Sequence, residues 1–275
     1  MKKLVTLTLT LLLVLTLVVP AMTEALEVGQ LVQSNQDEAV FNEEINGKIK
    51  SGVFWLVPKH EIHFQYFDDL NSMLMALNAG VIDEITLPRF VAEYIANNNP
   101  EFEVCCAQSM NYNISLVFGF LDDEAGRDLR GKINEAIASM KADGTLDMLT
   151  DEYLSASEGK ELTPVQFDAF PDSDASIKVI VTGDLPPIDY IGADGIPAGF
   201  NTAVLAEVGH RLGVNIEPIS AQTSSRTLAL TSHTADAVFW YMDRPTSNLD
   251  QPDGLVFSDP YLSWDLWLHI RRAAK

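Results

Sequence analysis

Apolar positions along the chain change period repeatedly, and the alternation predicts strands and helices in turn. Ile62–Phe67 is a short β-rich run, followed by Leu70, Met73, Leu74 and Leu77 at the i, i+3, i+4, i+7 spacing of one helix face. Asp68 or Asp69 can cap that helix, and Gly80 closes it. Val81–Leu87 reads as a strand, and Pro88 opens a helix through Val91, Tyr94 and Ile95 that stops at Asn97-Asn98-Asn99-Pro100. Phe102–Cys106 and Ile114–Phe120 read as two strands. Leu129, Ile133, Ala136, Ile137 and Met140 mark a long helix, and Leu146, Leu149 and Tyr153 a shorter one after Asp143-Gly144. The pattern then repeats. Ile177–Val181 is a strand, Asn201 caps a helix carrying Val204, Leu205, Val208 and Leu212, and Val214–Ile219 is the next strand. Thr223–Thr231 is a short helix, with Ala235–Tyr241 and Leu266–Ile270 as the last strands. Such alternation builds parallel α/β sheets, whose crevices open at the carboxyl ends of the strands. The loops after Leu87, Val181, Ile219 and Tyr241 are therefore where a ligand is expected.

Two segments fall outside this rhythm. Lys2 and Lys3 precede an apolar run from Leu4 to Val19, then Pro20 and the small-x-small triplet Thr23-Glu24-Ala25, as in a secretory signal peptide over residues 1–25. Residues 155–176 are polar, carry Pro164 and Pro171, and show no sustained apolar period, so they read as a linker. The full chain has 39 acidic against 18 basic side chains, a net charge of −21. That surface repels phosphate backbones and argues against nucleic-acid partners. Cys105 and Cys106 are the only cysteines, too few for a disulfide scaffold or a closed zinc site by themselves. His60 and His63 read as an exposed pair, and neither a metal nor a cofactor is expected. No phosphate loop, Gly-x-Ser-x-Gly or His-Glu-x-x-His occurs, so no catalytic constellation is expected and the chain reads as no enzyme.

The second half carries Val-Thr-Gly-Asp-Leu-Pro-Pro-Ile-Asp-Tyr (181–190), Gly-Ile-Pro-Ala-Gly-Phe-Asn-Thr-Ala-Val-Leu-Ala-Glu (195–207) and Arg-Leu-Gly-Val-Asn-Ile-Glu (211–217). Ala-Asp-Ala-Val (235–238) and Phe-Ser-Asp-Pro-Tyr (257–261) follow. In this order and spacing they resemble the first lobe of the family 3, polar amino-acid type, extracellular solute-binding proteins of ABC transporters. Tyr66-Phe67-Asp68-Asp69-Leu70, Ala76-Leu77-Asn78-Ala79-Gly80 and Val91-Ala92-Glu93-Tyr94 resemble that family's second lobe. Lys141-Ala142-Asp143-Gly144-Thr145-Leu146 with Tyr153 resembles its C-terminal helices, while residues 27–60 match poorly. The lobes thus stand in reversed order. The resemblance implies an α/β, two-lobed periplasmic-binding-protein (type II) fold, circularly permuted. Residues 26–110 form the second-lobe-like region, 111–154 the helices packing on the first lobe, 155–176 the linker and 177–275 the first-lobe-like region. A shortened relic of a tandem receptor is the other arrangement that fits; the permuted one is favoured because the pieces sum to one whole domain. One hinge crossing is expected near Ser109–Ile114.

The resemblance implies capture of a small polar or carboxylate-bearing, amino-acid-like ligand outside the cytoplasm, with ABC-transporter membrane subunits as partners. Its ligand-binding candidates are Asp184 and Tyr190 after the first strand, Thr223 and Arg226 at the helix after the second, and Trp240, Tyr241, Asp243 and Arg244 at the third strand tip. Core packing is the competing reading for Trp240 and Tyr241, helix capping for Thr223 and Arg226, and an exposed ion pair for Asp243 and Arg244. Two departures stand out. No arginine occurs in 246–253, where the family carries its carboxylate-binding one, and Pro88 replaces an amine-binding aspartate. A sensor or adaptor for a membrane signalling partner, or an interaction module that has lost its ligand, are the alternative functions.

Overall fold

The computed structural model describes residues 25–32, 37–50, 61–154, 164–173, 175–192, 195–244 and 251–274. The signal-like segment and the first part of the linker lie outside these residues. The chain begins with β1 (Leu26–Leu31), α1 (Glu38–Lys50), β2 (Ile62–Phe67), α2 (Leu70–Ala79), β3 (Glu84–Pro88) and α3 (Arg89–Asn98). A long strand β4 (Phe102–Leu121) leads to α4 (Glu124–Asp143) and α5 (Thr145–Leu154). After the linker come β5 (Ser176–Val181), the small strands β6 (Asp184–Leu185), β7 (Asp189–Ile191) and β8 (Pro197–Ala198), and α6 (Phe200–Leu212). Then follow β9 (Asn215–Ser220), a 3₁₀ turn (Thr223–Ser225), α7 (Arg226–Thr231), β10 (Ala237–Asp243), β11 (Leu255–Phe257) and β12 (Leu262–Arg272).

One nine-stranded sheet runs in the order β2-β1-β3-β12-β4-β10-β5-β9, with β11 also on β4. Its two ends are alike. In the first lobe along the chain, β1 pairs in parallel with β2 and β3; in the second, β5 pairs in parallel with β9 and β10. Between them β12 and β4 run antiparallel to each other and to their outer neighbours. Each lobe therefore counts its strands second, first, third from the outside inward, then shares the two long strands. Met242 and Asp243 at the end of β10 lie opposite Leu116 and Ser115, and Pro88 at the end of β3 lies opposite Trp267. The carboxyl ends of both parallel triplets thus converge on the middle of the shared pair, which is where the strand-end rule puts a binding cleft.

Three local features differ from the sequence expectation. Residues 102–121 form one strand rather than two, because the polar stretch between the apolar runs is held by pairing with β12 and not by burial. β1 falls in the stretch with little family likeness, yet Val28 is buried and pairs with both β2 and β3. Gly199, not Asn201, sits at the N-cap of α6; Asn201 is wholly buried in the first turn. The predicted caps of α2 are present: Asp69 accepts from the Ser72 N–H at 2.7 Å, and Gly80 closes the helix in a left-handed conformation.

The helices α4 and α5 pack on α6. Arg211 of α6 reaches Asp143 at 2.8 Å and donates to Thr145 Oγ1 at 3.0 Å, while the Asp259 N–H donates to Asn134 Oδ1 at 2.8 Å. The later part of the linker is also anchored. Val165 is buried, and Asn215 donates to the Phe170 carbonyl at 3.1 Å and accepts from its N–H at 3.0 Å. A polar segment without apolar period can still be ordered when one asparagine supplies both halves of a peptide's hydrogen bonding.

Candidate functional site: the cleft between the lobes

Five chain segments bring polar groups to the cleft. From the first lobe come Tyr66 to Asp68 at the end of β2. From the second come Thr182 to Tyr190 after β5, residues 220–226 after β9, and Asp243 and Arg244 after β10. Trp264 and Trp267 stand on the shared strand β12, their rings 5.9 Å apart. The lobes touch directly where the Ser224 N–H donates to Asp68 Oδ1 at 3.3 Å.

Buried polar groups mark this region. Tyr66 Oη, Trp264 Nε1 and Trp267 Nε1 are buried and make no hydrogen bond to protein. Such groups cost roughly 1–3 kcal/mol each until a partner reaches them. Burial pushes the Tyr66 phenol up to about 12; Arg244 draws it down, and Glu38 and Asp37 push it further up. Arg244 of the second lobe thus lies within electrostatic reach of Tyr66 of the first. Its guanidinium also stands 6.0 Å from the centre of the Trp267 ring. A neutral phenol, an indole N–H and a guanidinium are all donors, so together they favour a solute rich in acceptors.

The sequence candidates divide between the cleft and the core. Arg244 is half-buried at the cleft, and neighbouring Asp243 accepts from Gln251 Nε2 at 3.1 Å. Tyr190 lies on β7 opposite Asp184 of β6, beside the tip of β5. For Asp184 and Trp240 only the backbone position is described. Thr223 and Arg226 are 4% and 1% exposed, so the second lobe encloses them. The Arg226 guanidinium stacks 4.4 Å from the centre of the Tyr241 ring, which is itself fully buried and bonded through its hydroxyl to Thr227 Oγ1 at 2.9 Å. Gly119 of β4 makes room for that ring; a Cβ there would lie 2.4 Å from it. In β10 the register slips one residue between Val238 and Tyr241, so both belong to the same core cluster. Strict alternation along the strand does not hold there.

Two candidate site residues escaped sequence reading. Tyr66 is next to last in β2, and the rule that crevices lie at carboxyl ends of strands would have found it had it been applied to that strand. Asp189 is completely buried and holds the tip of β5. It accepts from the Thr182 N–H at 2.9 Å, the Thr182 hydroxyl at 3.2 Å and the Gly183 N–H at 3.3 Å. Gly183 has φ +79°, and a Cβ there would lie 2.7 Å from Ile191.

A cavity of about 770 Å³ lies elsewhere, lined by Leu26, Asp83, Glu84, Arg271 and Arg272 at the amino ends of β1 and β3. It is open to solvent and far from the convergence of strand tips, so the buried donors rather than this hollow define the candidate site.

Residues 177–275 match the family model of bacterial extracellular solute-binding proteins, family 3. No curated protein sequence matches the chain. Among solved structures, the chain is similar to the ligand-binding component of an ABC-type import system from Staphylococcus aureus, with zinc bound. Identity is 10%, TM-score 0.47, and the overlap covers 91% of this chain and 66% of that one. It is also similar to an ancestral arginine-binding protein bound to arginine, at 14% identity and TM-score 0.42, covering 91% and 85%. A further similarity is to the reduced OxyR regulatory domain from Pseudomonas aeruginosa, at 10% identity and TM-score 0.36, covering 92% and 88%. The chain spans less than two thirds of the length of another such structure, the aliphatic sulphonate-binding protein SsuA from Escherichia coli, of which it covers 61%.

Proposed function

We propose that this chain, whose residues 177–275 match the extracellular solute-binding proteins of family 3, captures a small polar, carboxylate-bearing solute in the cleft between its lobes. The capture takes place outside the cytoplasm, after export directed by residues 1–25, and serves ABC-transporter membrane subunits. The lobes stand in permuted order, residues 26–110 before 177–275, with 111–154 packed on the second.

One observation carries this reading: Arg244 of one lobe meets Tyr66 of the other beside Trp267 of the shared strand. A carboxylate there accepts from the guanidinium in a charge-assisted bond and from the phenol, which its raised pKa keeps protonated at neutral pH. Trp267 Nε1, buried without a hydrogen-bond partner on a ring 6.0 Å from the Arg244 guanidinium, is a further candidate donor. Asp184 and Tyr190 pair at the tip that Asp189 holds, and Tyr190 is the candidate contact for the remaining part of the solute. No carboxylate stands at Pro88, so an ammonium group needs another partner, and among the described residues Asp68 and Asp243 are candidates.

Isothermal titration of the full chain against amino acids, keto acids and dicarboxylates tests this. A solute bound stoichiometrically, with affinity lowered about tenfold or more by Arg244→Ala and less by Tyr66→Phe, is the expected result. Binding that ignores both substitutions would place the solute elsewhere. No binding across the panel would favour an interaction module or an adaptor to a membrane signalling partner.

A further inference from the structure

Cys105 and Cys106 are neighbours on β4, where ordinary alternation would send their side chains to opposite faces. The pairing with β12 slips at this point: Ile270 lies opposite Val104, but His269 lies opposite Cys106. Cys105 is the extra residue of a β-bulge, and a bulge re-aims the side chains beside it. The two sulfurs consequently lie 3.3 Å apart. Cys105 Sγ is also 3.5 Å from Glu84 Oε1, which arrives from β3 on the far side of β12. One ligand atom from each of Glu84, Cys105 and Cys106 falls within a sphere of contacts no longer than 4.8 Å.

The donor set and spacing fit a particular class of ion. A tetrahedral zinc-like centre with metal–sulfur bonds of ~2.3 Å and metal–oxygen bonds of ~2.1 Å separates sulfur from oxygen by ~3.6 Å and sulfur from sulfur by ~3.8 Å. The Cys105–Glu84 separation already meets the first value, and the second needs only about half an ångström of opening between the thiols. The other oxygen of Glu84 is held by His269 Nδ1 at 3.1 Å, and Thr86 Oγ1 lies 3.4 Å from the same nitrogen. A histidine on a ligating carboxylate is the kind of outer partner that fixes ligand direction. Thiolates and one carboxylate favour thiophilic d¹⁰ ions over magnesium or calcium.

We propose that Glu84, Cys105 and Cys106 form a binding site for a thiophilic d¹⁰ cation of the zinc class, with His269 positioning the carboxylate. The site draws on four residues of three adjacent strands and sits at the amino end of β3, the opposite end from Pro88 and the cleft. It is therefore independent of solute capture. Each thiol gives up its proton to solvent as the sulfur–metal bond forms, so two protons leave per ion bound. The ion ties β3 to β4 across β12.

The test uses the full reduced chain with both thiols titratable, and Cd²⁺ or Zn²⁺ alone as the probe. One Cd²⁺ per chain, a sulfur-to-cadmium charge-transfer absorption, and protection of both thiols from a thiol reagent are expected. Cys106→Ser and Glu84→Gln should each weaken uptake by about tenfold or more while far-ultraviolet circular dichroism stays unchanged. His269→Gln, which keeps both thiols and the carboxylate, should weaken it by a smaller factor. Uptake below one ion per reduced chain overturns the proposal. So does a Glu84→Gln variant that binds as tightly as the parent, since that result describes a bare dithiol.

Discussion

The carboxyl group of Asp189 accepts hydrogen bonds from both backbone N–H groups at the tip of β5, and it does so with no solvent exposure. Removing it leaves two half-buried backbone donors without that acceptor, so Asp189→Ala should lower unfolding stability by roughly 1–3 kcal/mol. A shift of the urea midpoint at unchanged slope would show this, and solute affinity should fall with it as the Asp184–Tyr190 hairpin loosens. The residue was in plain view within Pro-Pro-Ile-Asp-Tyr, but a single sequence does not reveal which carboxylate of 184 and 189 turns inward. Arg226 teaches the reverse. Its place at the helix after the second strand made it a ligand candidate, whereas the fold seals it beneath Tyr241. The same local composition serves a ligand or a core, and only the tertiary packing chooses between them. Arg244, read as either a ligand residue or an exposed pair, gains its cleft position from Tyr66 and Trp267, which lie far from it along the chain.

Helix α1 protects the sheet edge by an arithmetic of repeats. Glu38, Asn42 and Asn46 recur every four residues, a rise of about 6 Å, close to the ~6.6 Å of two strand residues. Their side chains meet alternate residues of the edge strand β2. Asn42 donates to the Phe64 carbonyl at 2.8 Å and accepts from its N–H at 2.7 Å. Asn46 does the same for Ile62 at 2.8 and 3.1 Å, and Glu38 accepts from the Tyr66 N–H at 2.8 Å. Asn42→Ala should cost about 1–3 kcal/mol in chemical denaturation and raise light scattering on storage, because the edge is again open to other strands. This stretch gave little away in the sequence, since its polar stripe carries no hydrophobic period. The α4–α5 turn is pH-sensitive instead. Hydrogen bonds from Thr145, chiefly its side chain and then its N–H, together with Arg211 hold the Asp143 carboxyl at about 2, below its ordinary 3.8. A depressed folded pKa contributes stability above the unfolded value, and that contribution disappears as pH falls from about 4 to about 2. Asp143→Asn should therefore be less stable than the parent at neutral pH, and the gap should close across that window in thermal melts.

At the scale of the molecule, alternation of apolar period was enough to read an α/β architecture. Helix positions followed closely because their stripes are strong: Leu70, Met73 and Leu77 are all buried, as are Ile133, Ala136, Ile137 and Met140. The shared strands were less legible. β4 passes from one lobe's sheet into the other's, so its burial changes along its length and breaks any single period. β12 was foreseen only from Leu266 to Ile270, because exposed Ser263 and Asp265 alternate with buried Leu262 and Trp264 before it and interrupt the apolar run. Pro88, read as a lost ligand contact, stands at the N-cap of α3 and pairs with Trp267, so the position has a structural role as well.

The two long strands carry a consequence for how the molecule comes apart. β4 lies beside β10 in the second lobe and beside β12 in the first, while β12 completes the row next to β3. Neither parallel triplet keeps its inner neighbour if the other half of the chain is taken away. Melting of one half therefore exposes the flank of the other and drags it along. Scanning calorimetry should give one endotherm whose van't Hoff and calorimetric enthalpies agree, and either half expressed alone should be recovered unfolded or aggregated.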